Sequence, residues 1–192
     1  MVGLCETDTE AIQASIDRIE ALDGELNAVV TRRFERALND AEGEIPDGPF
    51  KGVPFLLKDL RTSSADEPMH LGNKALKEIN YISPIESDLA KRYREAGFIV
   101  IGRTNTPEFG LVGTTEPESY GPCRNPWNTD YGTGGSSGGA AAAVGMAVVK
   151  RKRSANRALH SAGAALGLRH QAGDQPAGRA DQHRSEAQGF LG

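Results

Sequence analysis

Between Asp8 and Gly24 apolar residues return every three or four positions, at Ile12, Ile16, Ile19 and Leu22, which is the period of one helix face. Asp8 or Thr9 stands where a cap is needed, and Gly24 stands where the helix should end. A second helix is expected from Leu26 to Ala41, with Val29, Val30, Phe34 and Leu38 on one face, before the proline and glycines of EGEIPDGPFKG break it. The pattern then changes. GVPFLLKDL, residues 52–60, is a continuous apolar run that stops abruptly at Lys58-Asp59, as a strand covered on both faces would. Ser87 to Ala96 reads as a helix capped by Ser87 and closed by Gly97, and FIVIG follows as another buried strand. Strand, helix, glycine and strand in that order predict a βαβ unit with parallel strands, hence an α/β fold. From Thr104 to Ser137 the chain is rich in Pro, Gly, Asn and Thr with little periodicity, and a loop of that length in a compact domain is usually functional. GGAAAAVGMAVV behind it has helical composition, with small residues that permit close packing.

Composition changes this picture at Lys150. The segment 150–192 opens with four cations in a row, holds three of the four histidines, and contains no Val, Ile, Tyr or Trp, so it offers little to a sheet core. It reads as an atypical tail, disordered or out of frame, behind a domain that occupies residues 1–149. Net charge is −4 with acids and bases mixed along most of the chain, and no basic stripe calls for nucleic acid. The start, MVGLCETDTEA, has neither a basic nor an apolar leader region, and no apolar run approaches membrane-spanning length, so a cytoplasmic protein with no membrane partner is the expectation. Cys5 and Cys123 lie far apart and form no CxxC pair, which points to ordinary thiols and to neither a disulfide framework nor a metal site.

The chemistry concentrates in GTGGSSGGAAAAVG, residues 132–145. A phosphate-binding P-loop would need a lysine directly after the glycines, and none follows before Lys150. A dinucleotide fingerprint would need a strand before them, where NPWNTDY stands, and a flexible linker would not run straight into an alanine-rich helix. What remains is a catalytic loop whose glycines let backbone approach a substrate while Ser136 or Ser137 handles protons or attacks a carbonyl. Serine needs a base. His70 is the only histidine outside the tail and reads as a loop residue, whereas Lys58 ends a buried strand, where burial lowers an amine's pKa and makes it a proton acceptor.

GVPFLLKD, followed by IGRTNTPEFG and then by NPWN and GTGGSSGGAAAAV, resembles the amidase signature family of serine hydrolases, in order from about Asp8 to Val149. The resemblance implies the N-terminal portion of that fold, a mixed sheet covered by helices. It implies Lys58 as the base of a Ser-Ser-Lys triad and Ser136 as its bridging member, joined through a cis peptide bond. Ser137 would support the site by hydrogen bonding, with Gly134 and Gly135 giving the loop its shape. The substrate would be a small-molecule amide, cleaved to carboxylate and ammonia or amine without metal or cofactor, by a protein that could form a homo-oligomer. Nucleic acid would be a partner only if the chain were the remnant of an amidotransferase's amidase subunit. The family's nucleophile is a further serine in a Gly-Thr-Asp-x-Gly-Gly-Ser-x-Arg segment a little over twenty residues beyond the bridging serine. The stretch at that distance is SANRALHSAG, around His160; Ser161 is close in number but lacks the Asp, the Gly-Gly pair and the Arg. An inactive fragment or a binding partner of an intact homologue is therefore the alternative expectation.

Overall fold

The computed structural model describes residues 7–149. Helix α1 (Asp8–Leu26) leads into strand β1 (Val29–Arg32), helix α2 (Phe34–Glu42) and strand β2 (Pro54–Lys58). Helices α3 (Lys74–Glu78) and α4 (Asp88–Glu95) connect β2 to β3 (Ile99–Thr104). A 3-10 turn (Glu108–Gly110), a hairpin of β4 (Arg124–Asn125) and β5 (Asn128–Gly132), and helix α5 (Gly138–Val149) complete the order.

The three long strands form one mixed sheet in the order β1-β3-β2, with β2 parallel and β1 antiparallel to β3. The expected parallel pair is present, and the covering of both its faces is visible residue by residue. Leu56 faces the larger apolar cluster, built from Ile12, Ile16 and Ile19 of α1, Ile99 and Ile101 of β3, and Ala142 and Met146 of α5. Its neighbours Phe55 and Leu57 face the other way and meet Phe98, Val100 and Tyr93, the Phe50 and Phe98 rings stacking at 4.4 Å. Each such buried aliphatic or aromatic side chain contributes about 1.5–3 kcal/mol, so the two clusters hold the sheet between helices. Arg18 of α1 reaches across to donate to the Met146 carbonyl at 2.9 Å, tying α1 to α5.

Three expectations about the first helices are corrected. Helix α1 is capped by Thr7, not Asp8 or Thr9, through a reciprocal box in which the Glu10 N–H donates to Thr7 Oγ1 and the Thr7 N–H to the Glu10 carboxylate. It also runs through Gly24 and ends at Asn27, which takes the left-handed conformation with φ 51°. The single helix expected over 26–41 is instead β1 followed by α2. Asp23, 4% exposed, explains the break: its carboxylate accepts the Ala28 and Val29 N–H groups at 2.7 and 3.1 Å, turning the chain out of α1. Val29 and Val30 then take the extended form their branched side chains favour.

Helix α4 starts at the Ser87 cap and is followed by Gly97 at φ 92°, as expected. Among the described residues no helix is long and apolar enough to cross a membrane.

Candidate active site

The parallel strands β2 and β3 end side by side, Lys58 opposite Thr104, and polar residues collect at these carboxyl ends. Lys58 is half-buried, on the side of β2 that faces α5. Its Nζ donates to Ser136 Oγ at 2.9 Å and to Ser137 Oγ at 3.0 Å. The structure thus brings Lys58 to two adjacent serines that lie almost eighty positions away in the sequence. Burial pushes the Lys58 amine below its ordinary value. Helix α5 begins at Gly138, directly after Ser137, so the positive end of its dipole acts on the ammonium in the same direction.

The loop carrying the two serines is held from three sides. Gly134 sits at φ 71° and the Gly135-Ser136 peptide is cis. A Cβ on Gly135 would lie 2.4 Å from the Thr114 carbonyl oxygen, so only glycine lets these two stretches of backbone touch. Thr106, 1% exposed, donates to the Ser136 carbonyl at 3.1 Å. Thr115, equally buried, donates to the Gly134 carbonyl at 2.7 Å and accepts the Gly138 N–H at 3.1 Å. The Gly139 N–H donates to the Asn105 carbonyl. Thr115→Val should therefore lower stability by about 1–3 kcal/mol, since it leaves a buried donor and a buried acceptor unpaired. Thr115→Ser, which keeps the hydroxyl, should retain most of it in urea denaturation. An equal loss in the serine variant would place the effect in the methyl group instead.

Asp59, the next residue after Lys58, is fully buried. Its carboxylate accepts the N–H groups of His70 at 3.0 Å and Gly72 at 3.2 Å, and burial raises its pKa. The turn it holds supports the chain after β3: Leu71 accepts the Phe109 N–H, and Gly72 accepts the Ser119 hydroxyl at 2.7 Å.

The roles of Asn105, Thr106 and Thr115, which hold the loop and the start of α5, and of Asp59, which holds the turn at His70 and Gly72, escape the sequence reading. Asn105 and Thr106 lie in the IGRTNTPEFG stretch directly after a buried strand, and those two cues single them out. His70 is a loop residue as expected; its ring meets Tyr120 Oη at 2.5 Å and Asn80 Oδ1 at 3.3 Å, with no hydrogen bond to either serine. Cys123 is buried, and its thiol is pushed up to about 11, so it is not a nucleophile at neutral pH. Among the described residues no cluster of His, Cys, Asp and Glu is arranged to hold a metal ion. His160, Ser161 and the rest of the segment from residue 150 lie outside the described residues.

The family model for amidases matches residues 10–151. The chain is 45% identical over 140 residues to 6-aminohexanoate-cyclic-dimer hydrolase of Paenarthrobacter ureafaciens, covering 73% of this chain and 28% of the relative. A second 6-aminohexanoate-cyclic-dimer hydrolase, from a Pseudomonas species, is 44% identical over 140 residues, with the same coverage of each chain. A solved structure of 6-aminohexanoate cyclic dimer hydrolase superposes with a TM-score of 0.70 at 44% identity, covering 73% of this chain and 29% of that one. The chain thus spans under a third of the length of the curated relatives it matches, and corresponds to their N-terminal portion.

Proposed function

Because the chain belongs to the amidase signature family, we propose that it carries the proton-handling half of a serine amidase, with Lys58 as base and Ser136 as the bridging hydroxyl. The observation that supports this most directly is the placement of one half-buried amine within 3.0 Å of two serine hydroxyls. A neutral Lys58 accepts the Ser136 proton, while its remaining N–H groups keep the bond to Ser137 Oγ. Ser136 in turn takes the proton of a third serine, whose oxygen attacks the amide carbonyl carbon. The tetrahedral intermediate collapses as the leaving amine receives that proton back along the same path. Water then enters by the same relay, releases the acyl group as carboxylate and restores the serine. The third serine is not assigned: it is expected near His160, but Ser161 there lacks the Asp, the Gly-Gly pair and the Arg of the family's segment. The substrate is a small carboxylic amide; similarity to a hydrolase named for a cyclic dimer of 6-aminohexanoate supports this class.

The test is amide hydrolysis by the purified chain on simple aliphatic and aromatic amides, with Ser136→Ala alongside. Turnover should fall in the variant. It should also rise with pH: the working form of Lys58 is the neutral amine, and burial moves its titration below that of a free lysine. Turnover that is unaltered in Ser136→Ala would refute the relay, and no turnover from the folded chain would refute hydrolysis by this chain.

A further inference from the structure

On the opposite face of the sheet from Lys58 lies a cleft of about 320 Å³, lined by residues of β1, the first turn of α2, the segment around Glu67, and β3. Strand register fixes this separation: Arg103 pairs with Leu57, whose side chain points away from that of Lys58. We propose that the cleft binds an oxoanion, the phosphate or carboxylate head of a small molecule.

The first observation is Arg103. It is 2% exposed; its Nη1 donates to the Thr62 carbonyl at 2.7 Å, but its Nη2 is buried without a hydrogen-bond partner. A buried guanidinium nitrogen left without an acceptor is costly, and an anion in the cleft supplies one.

The second is a charge imbalance around Glu67. This single carboxylate serves Arg33 at 2.5 Å, Arg36 at 3.4 Å and Arg103 at 4.0 Å. Arg33 also pairs with Asp40 at 2.7 Å and Arg103 also feels the buried Asp59 carboxylate, so Arg36 is the guanidinium left with only a share of Glu67. The lining contains four arginines, of which Arg32 and Arg33 also pair with Asp23 and Asp40 outside it, against Glu35, Asp66 and Glu67.

The third is helix α2, nine residues long, whose N-cap residue Arg33 makes no side-chain cap bond. Its first-turn residues Phe34, Glu35 and Arg36 line the same cleft, so the positive end of the helix and its uncapped N–H groups face the space that the arginines surround. The volume falls in the range of small-molecule sites and exceeds what a bare phosphate fills, leaving room for a body attached to the anionic head.

Isothermal titration of the 192-residue chain with inorganic phosphate and, separately, with acetate, at constant ionic strength, tests this. Saturable binding of phosphate alone identifies a tetrahedral head, and binding of both extends the site to carboxylates. Arg36→Gln, at a side chain that is 55% exposed, should weaken binding about tenfold, the worth of one charge-assisted hydrogen bond. Arg92→Gln, which removes an exposed charge outside the cleft, should leave affinity unchanged. No saturable binding of either anion, or equal affinity in the Arg36 variant and the parent, or equal weakening by Arg92→Gln, overturns the proposal.

Discussion

Lys58→Ala is expected to lower kcat/KM for amide hydrolysis by about 10²–10⁴-fold, the range spanned by removal of a positioned general base. On the proposed relay the loss should fall in kcat, because there the amine that meets Ser136 and Ser137 acts on the proton path and not on ground-state binding. Lys58→Arg gives the sharper result. It preserves positive charge, length and hydrogen-bond donors, yet a guanidinium stays protonated at any working pH and cannot accept the Ser136 proton. Arginine should therefore fail as thoroughly as alanine. A Lys58→Arg enzyme working at the parent rate would show that the cation only positions the serines, and the base would have to be sought elsewhere.

Gly139→Ala should destabilise the chain by about 3 kcal/mol or more, although it adds one methyl group to a helix. That methyl would stand 2.4 Å from the Asn105 nitrogen, 2.6 Å from the Asn105 oxygen and 2.8 Å from the Ala28 oxygen. All three are main-chain atoms, and two of them are joined by the hydrogen bond from the Asn105 N–H to the Ala28 carbonyl at 2.8 Å. No side chain can swing aside, so either α5 lifts off the end of β3 or the junction of β1 with β3 opens. The urea midpoint should drop while the slope stays constant, the signature of lost stability without a changed unfolded state. An unmoved midpoint would mean that α5 is not seated on this backbone.

Much of this architecture can be read from the amino acids, and the places where it cannot have specific causes. The strand at 54–58 and the strand at 99–104 announce themselves because both their faces are covered, which forces continuous apolar runs. The Lys58 and Ser136 pairing is legible because a lysine at the end of such a run and a double serine among glycines are each chemically odd. β1 is hidden because its two valines also fit the apolar period of a helix, and the deciding contact, Asp23 turning back onto Ala28 and Val29, joins residues of different predicted elements. Thr106 and Thr115 are hidden for a different reason. A threonine in a loop looks the same whether its hydroxyl faces water or a buried carbonyl, and only the tertiary approach of Gly134 and Ser136 distinguishes them. The cleft around Glu67 is equally silent in sequence, where Arg32, Arg33 and Arg36 look like the solvated face of a helix and Arg103 only follows an apolar run.

The position of β3 at the centre of the sheet also sets a timetable for the nascent chain. β1 leaves the ribosome first, yet its hydrogen-bonding partner is β3, with Arg32 paired to Gly102 and Val29 to Thr104. Roughly 70 further residues must be translated before that partner exists, which at typical synthesis rates of about 5–20 residues per second is a wait of several seconds. Over that interval Ile12, Ile16 and Ile19 have no sheet to cover them, because Ile99 and Ile101 belong to the same late strand. The apolar face of the first helix therefore stays open to solvent, and exposed to wrong contacts, until the middle strand arrives.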